Sequence, residues 1–313
     1  MPKNQIKQKS SMTKPENTPP ASARISKPKK KSVDLYRRAM IRFTRNKLGV
    51  VCLVLVVLIV GMAIFADDWF IAFPLGRDPK PLLAHTPYDK IFYGPAGAFP
   101  NEKFWMGTDL NGRDQFSRIV FGARTSLTVS ILAQLLAVSI GIPLGALAGW
   151  RGGRTDYLVM RLVDVMSALP VLMMAYLIMA RLGAGFWNVM FAIGITSWIT
   201  VCRLTRAQFL SLREKEFVLA ARVIGAKEGR IVLRHLLPNA IGPVIVSAIL
   251  GIAVAILVES GLSFLGIGIQ PPTPSWGNIL NEAKISLGVA WWLSLFPGVA
   301  IFITIIAFNL IGE

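Results

Sequence analysis

Six stretches of the chain are apolar and long enough to cross a bilayer, which takes about 20 residues at 1.5 Å each for about 30 Å of hydrocarbon. They run from about Leu48 to Ala66, Leu127 to Trp150, Tyr157 to Ala180, Phe186 to Cys202, Ile241 to Leu262 and Trp291 to Ile311. The first has no charge. The second is interrupted by Pro143 and several glycines, the third carries Arg161 and Asp164 near its start, and the fourth is the shortest. Trp291 and Trp292 open the sixth where an interfacial aromatic belt belongs. The pattern predicts an all-α integral membrane protein with six transmembrane helices. It divides into an N-terminal arm (1–47), a first anchor (48–66), an outer loop (67–126) and a five-span core (127–311) that contains a polar loop over 203–240.

Composition agrees: 53% of residues are apolar, 16% are charged and the mean hydropathy is +0.54, far from a soluble domain with roughly a quarter of its residues charged. Charge then sets orientation. Of the net +17, residues 1–47 contribute +12, with 14 Lys+Arg against 2 Asp+Glu. The arm, the 151–156 turn and the 203–240 loop fall on one side and hold 14, 2 and 8 basic residues; the loops 67–126 and 263–290 hold 7 and 1. The first side is predicted cytoplasmic, with both termini inside. The arm is too long for the start of a cleaved signal peptide and reads as disordered, either held near anionic lipid or serving only as a topology signal. A nucleic-acid partner is not expected, because the basic residues lead into lipid-length apolar runs instead of sharing a folded face with aromatics.

In the 203–240 loop, Phe217, Ala220, Ala221 and Ile224 recur at i, i+3, i+4 and i+7, one helical stripe with an alanine floor. Gly225 fits a helix C-cap, and a second helical stretch runs from Ala226 through Arg230 and Ile231 until Pro238 interrupts it. Small residues ringed by Arg206, Arg213, Arg222, Arg230 and Arg234 suit a docking surface for another protein; the alternative is a loop that packs under its own spans. Before the second span, Phe116, Ile119, Val120 and Ala123 form the face of an interfacial helix, with Arg113, Arg118 and Arg124 elsewhere on it. That helix would either brace a path or receive a second protein. Three prolines between Gln270 and Trp276 make a stiff outer turn, read as a gate element (Pro271, Pro272) or a connector.

Ionisable groups inside spans are costly and need a reason. Arg161 and Asp164, three apart, are predicted to form a structural ion pair. Glu259, beside Ser260 and near Ser263, either faces a hydrated translocation path or sits solvated at headgroup level. No G-x-x-x-x-G-K-[ST] loop and no H-E-x-x-H motif occurs, and two cysteines with two distant histidines give no metal cluster. The chain is therefore expected to bind no ATP, metal or other cofactor itself. An ion-driven secondary transporter stays open as the alternative.

Glu216-Phe217-Val218-Leu219-Ala220-Ala221-Arg222-Val223-Ile224-Gly225-Ala226, followed by Arg234-His235-Leu236-Leu237-Pro238-Asn239, resembles the coupling loop of ABC-importer permeases. Leu219 departs from the family, standing where its signature glutamate often does, with Glu216 one turn earlier. Phe104 to Asp109, Gly112 to Asp114, Ser117 to Leu127, Gln270 to Gly277, Ala290 to Trp292, Phe296 to Gly298 and Ala307 to Gly312 resemble the dipeptide and oligopeptide (and nickel) permeases, specifically their C-type subunit. The likeness covers about residues 35–313; relatives usually run on into a short charged tail. It implies a type I importer permease fold with a cytoplasmic coupling helix and alternating access for peptides or, alternatively, nickel or other small solutes. It implies a heterodimer with a second, B-type permease subunit, an extracytoplasmic solute-binding protein, and two ATPase subunits that carry ATP and Mg and the only catalysis. Glu216, Phe217, Ala220, Ala221, Arg222, Gly225, Ala226, Arg234 and Pro238 would contact or shape the contact with those ATPases.

Overall fold

The computed structural model describes residues 47–68, 72 and 78–312. The basic arm lies outside them apart from Lys47, as do most of 69–77 and Glu313. Among the described residues no strand forms, only two isolated bridges, and the architecture is helical.

Helix α1 (Lys47–Ile64) is apolar throughout after Lys47, and rich in Leu and Val. In lipid such a run has nowhere but its own ladder to place its backbone hydrogen bonds. Helix α2 (Gln115–Arg151) is 37 residues long, about 55 Å, and starts where Asp114 caps it by accepting the Ser117 backbone N–H at 3.0 Å. The expected interfacial helix and the second span are thus one helix. Nothing between Ser117 and Leu127 breaks the ladder, and Ile119, Val120 and Ala123 are buried against the protein instead of lying in the interface. Pro143 does not interrupt α2 either.

The glycines of α2 are a packing seam. A Cβ at Gly141 would lie 2.8 Å from the Trp198 carbonyl oxygen, one at Gly145 2.8 Å from Thr205 Cβ, and one at Gly149 2.6 Å from Phe209 Cβ. Three glycines at a spacing of four let two helix backbones approach closely, which in a membrane substitutes for the missing hydrophobic drive. Their partner is α5.

The third span is broken. Helices α3 (Gly153–Ser167) and α4 (Val171–Leu182) meet at 83°, because Pro170 has no N–H to continue the ladder and its ring excludes the carbonyl four residues back. At about 22 and 18 Å, neither piece crosses hydrocarbon alone. Five helices qualify as spans, six if the bent pair counts as one. Helix α5 (Phe186–Leu212) runs ten residues past Cys202, which narrows the predicted cytoplasmic loop. Its extension is held by its own polar groups: Arg206 clamps Asp156 bidentately (Nη2 to Oδ2, 2.6 Å), and Arg213 Nη1 donates to the Gly149 carbonyl at 3.2 Å.

Helices α6 (Glu216–Val223) and α7 (Glu228–Ile231) follow; α7 passes through a π turn at Val232–Leu236 into α8 (Leu237–Phe264). Pro238 therefore does not end the helix as expected. The wide π turn just before it removes the clash that a proline ring makes with the preceding turn. Helix α9 (Trp276–Ala283) begins at a capping box of Ser275 and Asn278, and α10 (Trp292–Gly312) closes the described fold. Helices α2 and α5 form the most extensive pair; α8 packs on both and on α10, and α1 lies against α10 and α2. Trp292 is buried against Phe99 at 4.8 Å, so of the expected aromatic belt only Trp291 is exposed.

Candidate functional site

The coupling surface is built on the α5 extension. Lys215, extended, turns the chain into α6, where Glu216 occupies the first turn and faces the positive end of the helix. Val218 and Ala221 point inward and pack with Phe209, Ile231, Leu236 and Ala240. That leaves the other side of the tip in water: Phe217, Leu219 and Ala220 are exposed, and Val223 and Ile224 are 87% and 83% exposed. The apolar stripe expected from periodicity is thereby split, with only Ala221 of its four members turned to the chain itself. Gly225 ends the helix at φ +77°, its N–H donating to Arg222 O at 2.9 Å and the Ala226 N–H to Ala221 O at 3.0 Å, the two bonds of a Schellman cap. Pro238 is exposed one residue into α8, and Asn239 Nδ2 donates to the His235 carbonyl at 2.6 Å.

The arginines expected to ring this surface divide. Arg206 and Arg213 serve the chain's own helices, and Arg222 stacks over the Trp150 ring at 4.9 Å. Arg230 and Arg234 stay exposed. An exposed apolar tip on a short helix, fastened below by a packed floor, can move only as a body with the helices that carry it.

Two readings of the membrane interior change. Arg161 and Asp164 do not pair: Arg161 turns back to the Tyr157 hydroxyl (3.1 Å), while Asp164 and Ser167 accept from Arg203 of α5 at 3.3 and 3.0 Å. Helical side chains lean toward the N-terminus, so the long Arg161 reaches the turn before it and not the one after. Glu259 is neither path-facing nor solvated. It is fully buried, as is Ser263, and Ser260 is nearly so, because the 265–275 turn and α9 fold back over them. Ser263 Oγ donates to Glu259 at 2.8 Å and Ser126 Oγ at 2.9 Å. Those hydroxyls in turn accept the backbone N–H groups of Ile269 and Trp276. One carboxyl thus ties α2 and α8 to the 265–275 turn, where Pro271 and Pro272 are exposed.

Replacing Glu259 by Leu strands two buried hydroxyls, at about 1–3 kcal/mol each, whereas Gln keeps an acceptor and a donor in place. Thermal unfolding of the solubilised protein should show a clear drop for Glu259→Leu and little for Glu259→Gln. Equal midpoints would remove the hub role.

A second cluster has no counterpart in the sequence reading. Asp109 Oδ2 accepts from Arg113 Nε and from Arg118 Nη1 (2.8 Å), and Glu282 Oε2 accepts from Arg113 Nη2 (2.5 Å) and Arg118 Nη1 (2.6 Å). It locks the start of α2 to α9. The spacing Asp109 to Arg113 hints at one pair, but Glu282 lies 164 residues beyond Arg118, and no local signal joins them.

Comparison with known proteins now decides the family. Residues 141–313 match the model of the binding-protein-dependent transport system inner membrane component, and residues 34–96 match the N-terminal TM domain of oligopeptide transport permease C. The chain belongs to this permease family. It is 38% identical over 284 residues to the oligopeptide transport system permease protein OppC of Bacillus subtilis, covering 91% of this chain and 88% of that one. To the dipeptide transport system permease protein DppC of Alkalihalophilus pseudofirmus it is 38% identical over 302 residues, 96% of this chain and 93% of that one. The glutathione transport system permease protein GsiD of Pectobacterium atrosepticum is 36% identical over 278 residues, 89% and 88% of the two chains. Among solved structures, an inward-facing form of the MetNI methionine ABC transporter superposes with a TM-score of 0.51 at 16% identity, over 62% of this chain and 93% of that one. The permease therefore has the type I ABC importer fold, and it is a membrane protein of the C-type peptide-permease branch.

Proposed function

We propose that this chain is one of the two permease subunits of an ATP-driven importer for short peptides in a bacterial inner membrane, and that α6 with its flanks is its contact with the ATPase subunits. The observation that carries the reading is the tip of α6. Phe217, Leu219 and Val223, with Ile224 at the C-cap, are exposed together on an eight-residue helix whose opposite side is anchored in the chain's own core. ATP and Mg would be held by the partners; closure of those partners would move α6, and the helices fastened to it would switch between two packed arrangements. Glu216 and Leu219 stand one turn apart on the exposed side, which supports Glu216 as the acid of the contact in place of the glutamate that Leu219 replaces. The peptide substrate is carried over from relatives named for oligopeptides and dipeptides.

The test is a mild-detergent pull-down of the tagged chain from its native membrane, with stoichiometry by mass spectrometry. A second permease and two nucleotide-binding subunits are expected with the wild type. A β-branched residue at φ +77° costs about 1–2 kcal/mol, so Gly225→Val should lower ATPase recovery roughly tenfold while the second permease is retained. Recovery of this chain alone, still competent for ion-driven uptake, would replace the reading with a secondary transporter.

A further inference from the structure

The break between α3 and α4 does more than bend a span. Beside it, α2, α5 and α8 line an open cavity of about 500 Å³, within the range of small-molecule sites. Its polar lining is ordered by helical spacing. Thr196, Thr200 and Arg203 follow one face of α5, Ser247 and Gly251 one face of α8, and Ser167 stands at the break. At the inner wall is Gln134 of α2, only 5% exposed. Its amide has no hydrogen-bond partner among the described residues, and it lies so close over Gly251 that a Cβ there would collide with it.

An amide left unpartnered in a membrane interior costs free energy, and polar hydroxyls turned to lipid gain nothing. Gln134 offers one acceptor and two donors to whatever fills the space. Charge narrows the choice. Arg203 at one end is already matched by Asp164, so the chamber has no net charge, and no cluster of His, Cys, Asp or Glu that could hold a metal ion occurs among the described residues. A cation or a metal chelate therefore finds no counter-charge, whereas amide groups find donors and acceptors on three walls.

We infer that this cavity is a solute chamber for a neutral or zwitterionic molecule rich in amide groups, a short peptide, and that Gln134 hydrogen-bonds its backbone there. The inference rests on the transport reading and places the recognition chemistry within it. It also moves the solute away from Glu259, Ser260 and Ser263, which are closed off by α9.

The experiment uses the assembled transporter in proteoliposomes, with trialanine as solute. Gln134→Leu removes two or three hydrogen bonds and should raise the KM for uptake about tenfold. Gly251→Ala, which displaces the same amide, should act in the same direction. Separately, Thr200→Cys should react with a water-soluble maleimide and lose that reaction when trialanine is present. Val57→Cys, exposed in the middle of the apolar span α1 and outside the cavity lining, should not react; the native Cys52 and Cys202 are buried and set the background. An unchanged KM for Gln134→Leu, or a Thr200→Cys as inert as Val57→Cys in a transporter still taking up trialanine, would overturn the chamber and mean that the partner permease fills it. If the wild-type assembly takes up no trialanine, the peptide reading fails instead, and the chamber then stands or falls on the labelling of Thr200→Cys alone.

Discussion

Gly145→Leu is expected to abolish the folded permease. The Cβ of any residue at 145 meets Thr205 Cβ at 2.8 Å and presses on the Cys202 carbonyl and on Arg206 N at 3.1 Å. Two of these three are backbone atoms in the middle of α5, which cannot swing aside as a side chain tip can. Overpacking of a flexible core costs about 1–3 kcal/mol; here relief requires separating α2 from α5, so a loss at or above the top of that range is expected. Because α2 and α5 form the central pair, no second interface can absorb the change. The contrast is Gly242→Ala in α8, whose added Cβ would meet nothing within 4 Å and which should gain up to about 1 kcal/mol of helix stability. Yield and thermal midpoint after solubilisation compare the two directly. A Gly145→Leu protein with a wild-type midpoint would show that the seam does not hold the bundle.

The second large effect is where α9 meets the start of α2. Asp109 serves four donors at once: the side chains of Arg113 and Arg118 and the backbone N–H groups of Asn111 and Arg113, at 2.8 and 2.9 Å. Arg118 is 1% exposed, and its Nε and Nη2 already lack partners. Asp109→Ala leaves two guanidinium groups sharing Glu282 alone. Removing one member of a buried ion cluster costs about 3–5 kcal/mol, chiefly because the charge that remains is uncompensated. The same argument predicts that Asp109→Ala combined with Arg118→Met loses less than the sum of the single changes. A double-mutant cycle on unfolding free energy reads that coupling, and additivity would dissolve the cluster into independent contacts. Loosening α9 from α2 should also be visible as faster amide exchange in 276–283.

The Gly145 seam was open to sequence reading, since Gly141, Gly145 and Gly149 repeat at four. Within an apolar run glycines count only as interruptions, and it is their spacing that makes them an interface. The Asp109 cluster was open only in its local half. Glu282 and Arg118 meet because α9 folds back, and no periodicity encodes a contact across 164 residues. The Arg161 and Asp164 pair shows the opposite failure. Proximity along a helix favours Asp164 as the partner, yet rotamer direction sends Arg161 back to Tyr157 and a different helix supplies Arg203.

By itself the sequence determined that the chain is a helical membrane protein, where its apolar runs lie, that α6 ends at Gly225, and which family it resembles. These are local properties: a run of 20 apolar residues must bury its backbone bonds in a helix, and a glycine at a positive φ stops one, whatever surrounds it. Only the tertiary structure decided which polar groups face one another. It closed Glu259 inside a ring of serines, split the stripe of α6 into an anchored and an exposed side, and left Gln134 facing a cavity. Each of those outcomes depends on the angle and depth at which helices cross. Many distant side chains set these together, and a residue's own neighbours along the chain do not contain them.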